Sequence, residues 1–72
     1  MTNAQWCAKE IGPRRVGGRY MDSYWHQEYE VVSIEHNVPV WGWLMTVRWV
    51  DGQITRHCTA WGKRDRVLSQ PA

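Results

Sequence analysis

Apolar and polar residues alternate most clearly from Trp43 onward, with the period of two that sends successive side chains to opposite faces of a strand. The alternation runs up to Asp51-Gly52 and resumes beyond it. Asp-Gly between two such runs is a strong hairpin signal, because both residues tolerate the positive φ of a two-residue turn. A two-residue turn sets Trp49 opposite Ile54, Val47 opposite Arg56 and Met45 opposite Cys58, and makes that side the core. The other side then collects Leu44, Thr46, Arg48, Thr55, His57 and Thr59. Arg56 is the misfit, because it falls on the apolar side. Either its stem reaches out to the rim of the core, or a one-residue bulge after Gly52 shifts the alternation and turns it outward.

Further strands follow from composition. Residues 16–21 read as a first strand with a bulge or bend at Gly17-Gly18, and residues 22–27 as a loop carrying Tyr24, Trp25 and His26. Residues 29–36, with Val31, Val32 and Ile34, form the second strand. Residues 37–42 carry Pro39 and Gly42 and make a loop with an exposed apolar tip at Val38, Val40 and Trp41. Strands over 43–50 and 53–60 flank Asp51-Gly52, a single 3₁₀ turn is expected over 61–65, and 66–68 closes the set. Residues 1–15 lack a pattern and read as an irregular arm, with at most a short helical turn over 4–10 and Trp6 folded back on the body. Residues 69–72 read as a flexible tail. The expectation is one all-β domain of five strands over residues 16–68.

Length and composition narrow this picture. A chain of 72 residues buries only about 60% of its unfolded surface, so its stability margin is thin. Six tryptophans and three tyrosines, with no phenylalanine, supply the large side chains. The same residues can stack on ligands, since each combines a flat π face with a polar edge. Nine basic and seven acidic residues give a formal charge of +2, a mild bias for a nucleic-acid binder. Cys7 and Cys58 show no zinc or redox spacing. No run approaches the roughly 20 apolar residues of a membrane span, and residues 1–10 lack the apolar stretch of a signal peptide. A cytoplasmic, reduced protein is expected.

The segments Val16-Gly17-Gly18, Tyr24-Trp25, Glu28 to Ile34 and Val47 to Gly52 together resemble the small SH3-like barrels, in particular the Tudor, chromo-barrel and KOW group. The resemblance covers residues 16–68. It implies a five-stranded SH3-like barrel with an aromatic site at the barrel mouth, here Tyr24, Trp25 and Trp49, with Tyr20, Asp22 and Asp51 as further candidates. The chain also resembles small proteins of actinobacteria and their phages or plasmids, a likeness that implies no function.

Chemistry is harder to find. His57 and Cys58 are successive strand positions, so their side chains point to opposite faces and cannot act as base and nucleophile. His26, His36 and His57 show no metal-ligand spacing. No catalytic residue, metal or cofactor is therefore expected. Nucleic-acid binding is the leading expectation, through Arg48, Thr55 and His57 on one face with Arg64 and Arg66 at its edge. The alternative is a protein-interaction or regulatory adaptor that uses Tyr24, Trp25, Trp41, Trp43 and Trp49, with homodimerisation through the 38–43 loop as one form of it.

Overall fold

The computed structural model describes residues 3–71. Its elements are α1 (Asn3–Ile11), β1 (Arg19–Asp22), β2 (Gln27–Val38), β3 (Gly42–Trp49), β4 (Ile54–His57) and β5 (Arg66–Ser69). All strand pairings are antiparallel, in the order β4-β3-β2-β1-β5. The five strands of the expected all-β chain form in one antiparallel sheet, and with one short helix the chain is mostly β. Two parts differ at its ends. The arm read as irregular is α1, and the expected 3₁₀ turn is a β-turn over residues 62–65, in which the Asp65 N–H donates to the Gly62 carbonyl at 3.2 Å.

The hairpin at Asp51-Gly52 forms, but with three loop residues rather than two. Trp49 N–H donates to the Gln53 carbonyl, and Gly52 N–H donates to the Trp49 carbonyl, so Val50 belongs to the turn and not to β3. Gly52 takes the left-handed conformation at φ 92°, as the last position of such a three-residue loop requires. The Asp51 carboxylate accepts the Gln53 N–H at 3.0 Å and fixes the turn. The added residue moves the register by one: Arg48 pairs with Ile54, Val47 with Thr55, Thr46 with Arg56 and Met45 with His57. A one-residue slip exchanges the two faces of a strand. Arg56 and Ile54 therefore face out, and Thr55 and His57 face in. Of the two readings open for Arg56, the bulge is the one realised.

β2 needs two further corrections of phase. Val32 and Asn37 are extra residues relative to β3, at the register shifts between Val31 and Ser33 and between His36 and Val38. The first bulge lets Tyr29, Val31 and Ile34 all reach the core although their spacing is not a clean period of two. Asn37 sits at φ 58°, a conformation its short polar side chain tolerates.

Tyr20, Tyr29, Val31, Trp43, Met45 and Val47 form the buried centre, with Ile11 from α1. α1 stops at Gly12, whose positive φ and close approach to the Trp61 ring leave no room for a β carbon. Arg14 then folds back beneath the helix. It is 5% exposed, donating from Nε to the Ile11 carbonyl (2.9 Å) and from Nη2 to the carbonyls of Glu10 (3.0 Å) and Thr59 (2.7 Å). Its guanidinium carbon lies 5.5 Å from the Trp43 ring centre and 5.6 Å from that of Trp61. A short helix that is marginal alone is thus held by its contacts with the sheet. At the other end of the chain, Ser69 pairs with Arg19, and Gln70 bridges the Tyr20 hydroxyl (2.7 Å) and the Pro13 carbonyl (2.8 Å). The segment expected to fray is tied down as far as residue 70.

Candidate binding surfaces

The face expected to bind nucleic acid is not assembled. Arg48 is exposed but pairs with Glu30 across β2 and β3 at 3.0 Å, and Arg56 makes a two-pronged contact with Glu35 at 2.9 and 2.8 Å. Arg19 pairs with Glu28 at 2.8 Å. The outward arginines of β1, β3 and β4 thus each have their own glutamate on β2, and that face carries alternating charge.

Thr55 and His57 belong to the interior instead. The Trp49 indole N–H donates to Thr55 Oγ1 at 2.7 Å, and the His57 ring stacks on Trp49 at 6.3 Å. Both ring nitrogens of His57 are buried without a hydrogen-bond partner among the described residues. Burial, and secondarily the positive charge of Arg14, hold its pKa below the ordinary histidine value, against a smaller opposing pull from Asp22. His57 is therefore neutral at physiological pH.

Two of the aromatics expected to contact a partner, Trp43 in the exposed loop and Trp49 on the core side at the barrel mouth, are held by the core. Trp43 is fully buried, because strand alternation places it beside Met45 and Val47, and its N–H donates to Glu10 Oε1 at 3.1 Å. Trp49 is half-buried between Tyr29, 5.1 Å away between ring centres, and His57. The expected grouping of Tyr24, Trp25 and Trp49 does not form, since Tyr24 and Trp25 meet each other and Trp49 meets core rings. Tyr20 is buried in the core, and Asp51 is engaged by its own turn.

Two places do gather exposed aromatic side chains. The first is a groove of about 870 Å³ between α1 and the β2–β3 loop. Trp6, Cys7 and Glu10 line it from α1, and His36, Val40 and Trp41 from the opposite side. Val40 is 97% exposed and sits at φ 71°, a conformation that a β-branched residue adopts only under strain. Glu10 is the only acidic residue among those lining the groove, and no lysine or arginine lines it.

The second place lies at the other end of β2. Asp22 Oδ1 accepts the N–H groups of both Tyr24 and Trp25 at 2.8 Å, and the two rings meet edge to face at 4.8 Å. They remain 78% and 64% exposed. Asp65 ties this turn to the next one, accepting the Ser23 N–H at 2.8 Å and the Gly62 N–H at 2.7 Å. Burial alone raises the Asp65 pKa, but its hydrogen bonds from Gly62 and Ser23 and the charge of Arg14 together bring it below the ordinary carboxylate value. Lys63 and Arg64 occupy the tied turn and Arg66 follows it, all three exposed and without an ion pair among the described residues.

Arg14 and Glu10 were not singled out by the sequence, since nothing local marks a residue whose partners lie on β2, β3 and the segment after β4. No group of three or more His, Cys, Asp or Glu among the described residues is placed to hold a metal ion. No helix of the described residues is long and apolar enough to cross a membrane. No family model matches this chain, no curated protein matches it, and no solved structure matches it.

Proposed function

We propose that the protein is a non-enzymatic binding module that takes an extended segment of a partner protein into the groove between α1 and the β2–β3 loop. The observation that carries this reading is Val40: an almost fully exposed apolar side chain held in a strained conformation beside exposed Trp6 and Trp41. Backbone strain of this kind costs about 1–3 kcal/mol, and nothing in the free chain offsets it through burial of that side chain. The groove falls in the range of about 300–1,000 Å³ that binding pockets occupy, and tryptophan is a favoured anchor at interfaces. Glu10 is the only acidic residue lining the groove and no cation lines it, so a basic residue in the segment is the complementary charge. The strand order, the Asp-Gly hairpin and the short last strand support an SH3-like small barrel as the scaffold, although the first loop, between Asp22 and Gln27, is short.

Selection of displayed random peptides against the whole chain tests the proposal. Binders enriched in a basic residue next to an apolar one are expected, and Trp41→Ala should weaken them at least tenfold while leaving the thermal melt in place. Peptides whose affinity is indifferent to both Trp6→Ala and Trp41→Ala would overturn it. The chain should sediment as a monomer; a dimer that Trp41→Ala dissociates would reassign the groove to a second copy.

A further inference from the structure

The geometry points to a second binding site, separate from the groove, at which the Tyr24-Trp25 turn and the Lys63–Arg66 segment together hold a single strand of nucleic acid. Single-strand recognition needs two things in one place: flat side chains on which unpaired bases can stack, and cations along the backbone path. Asp65 is the device that joins them. Its two oxygens take one backbone N–H from the aromatic turn and one from the basic turn, so Ser23 and Gly62 are both within hydrogen-bond reach of a single carboxylate. Tyr24 is the neighbour of Ser23, and Lys63 that of Gly62.

Three exposed cations without an ion pair among the described residues, Lys63, Arg64 and Arg66, favour an anion here. The arginines of β1, β3 and β4, Arg19, Arg48 and Arg56, are each held by a glutamate. Lys63, Arg64 and Arg66 are not, and they outnumber the two carboxylates nearest in sequence, Asp22 and Asp65, which are turned to backbone N–H groups. The aromatic turn is also set before any ligand arrives. Asp22 fixes two successive N–H groups and the two rings brace each other, so little side-chain freedom remains to be lost on binding. The bases stack on the open faces of Trp25 and Tyr24, and the phosphates lie against Lys63, Arg64 and Arg66. A duplex offers no unstacked base to these rings and is bound only through its phosphates.

Binding of fluorescein-labelled 12-nucleotide dT and rU strands, a 12-base-pair duplex and a poly-aspartate peptide to the full chain, across a series of NaCl concentrations, tests the proposal. Three phosphate contacts predict that log Kd for the dT strand rises with log salt at a slope of about 2, a roughly hundredfold loss for a tenfold rise in salt. Trp25→Ala should weaken single-strand binding about tenfold, and Arg64→Gln should lower the slope by about 0.7. Arg48→Gln, on the glutamate-paired face, should change neither. Equal dT and rU affinities place recognition in base and phosphate; a preference for rU adds a 2′-hydroxyl contact at the same site. Thermal melts of both variants at the parent temperature show that a loss is not unfolding, since both side chains are exposed. Duplex or poly-aspartate bound as tightly as dT would overturn the proposal, as would affinity for dT that survives Trp25→Ala and Arg64→Gln undiminished. Failure here leaves the groove untouched, because no residue named for the one lines the other.

Discussion

Arg14 shows how much of this small fold rests on one side chain. A buried cation is costly unless dipoles or charges surround it, and Arg14 meets carbonyls of the α1 end and of Thr59 while two tryptophan rings flank it. The α1 carbonyls lie at the negative end of the helix, where a cation is favoured. Arg14→Ala removes the filling between Trp43 and Trp61 and leaves the Thr59 carbonyl without that donor. It should cost about 3 kcal/mol or more in urea unfolding, out of the roughly 5–15 kcal/mol of a typical domain. Arg14→Lys keeps the charge but not the fork of donors, and should restore only part; a loss under 1 kcal/mol for Arg14→Ala would show that the helix is held by other contacts. His57 contributes a loss of stability on the acid side. Its folded pKa lies below the ordinary 6.5, so the unfolded chain binds the proton first, and stability that is full above about pH 6.5 falls as the pH drops towards the folded value. Asp65, with a lowered carboxylate pKa, adds its own loss only below about pH 4. Melts from pH 8 to pH 5 should show a falling midpoint in the parent and a flatter profile in His57→Leu, which also removes two unpartnered nitrogens; parallel profiles would mean that His57 does not titrate in this window.

At the scale of elements, the hairpin was legible and its phase was not. Alternation reports that a strand has two faces, but the turn length decides which residues share one. Val50 is β-branched and adjoins β3, so its residue type reads as strand although it interrupts the alternation of Thr46 and Arg48; its place outside the ladder makes it a loop residue. That single residue moved Thr55 and His57 from the expected ligand face into the interior. β2 hid its bounds in the same way, through the unpaired Val32 and Asn37. α1 was legible only as a turn because its tertiary contacts, with Arg14, Trp43 and Trp61, are distant or unmarked in sequence. The turn itself can be tested by substitution. Gly52 has open space around it, so a side chain there costs backbone conformation alone. Gly52→Val should destabilise by about 1–2 kcal/mol, and Gly52→Asn by less, since asparagine tolerates positive φ. Equal costs for the two would argue against a left-handed residue at this position.

Across the whole molecule, β2 separates two surfaces of different character. One end of this twelve-residue strand leads into the aromatic turn tied to Lys63 and Arg64, and the other into the loop that forms the groove with α1. The sequence showed the ingredients of both, in Tyr24, Trp25, Trp41, Arg64 and Arg66, because exposed aromatics and unpatterned basic residues are visible without a fold. It did not show that glutamates of β2 neutralise Arg19, Arg48 and Arg56, since such pairs depend on register across strands. Between the two ends lies a packed core of Tyr20, Tyr29, Val31, Trp43, Met45 and Val47, with no second arrangement evident in its contacts. Coupling between sites requires an element with two states that both ligands bias. The two sites should therefore act independently: a groove peptide at saturating concentration should leave the dT affinity unchanged within about twofold, and the effects of Trp41→Ala and Trp25→Ala should add in the double variant. A shift of tenfold or more in either affinity would mean that the core transmits a change between its ends, and that the protein works as a switch rather than as a tether joining two partners.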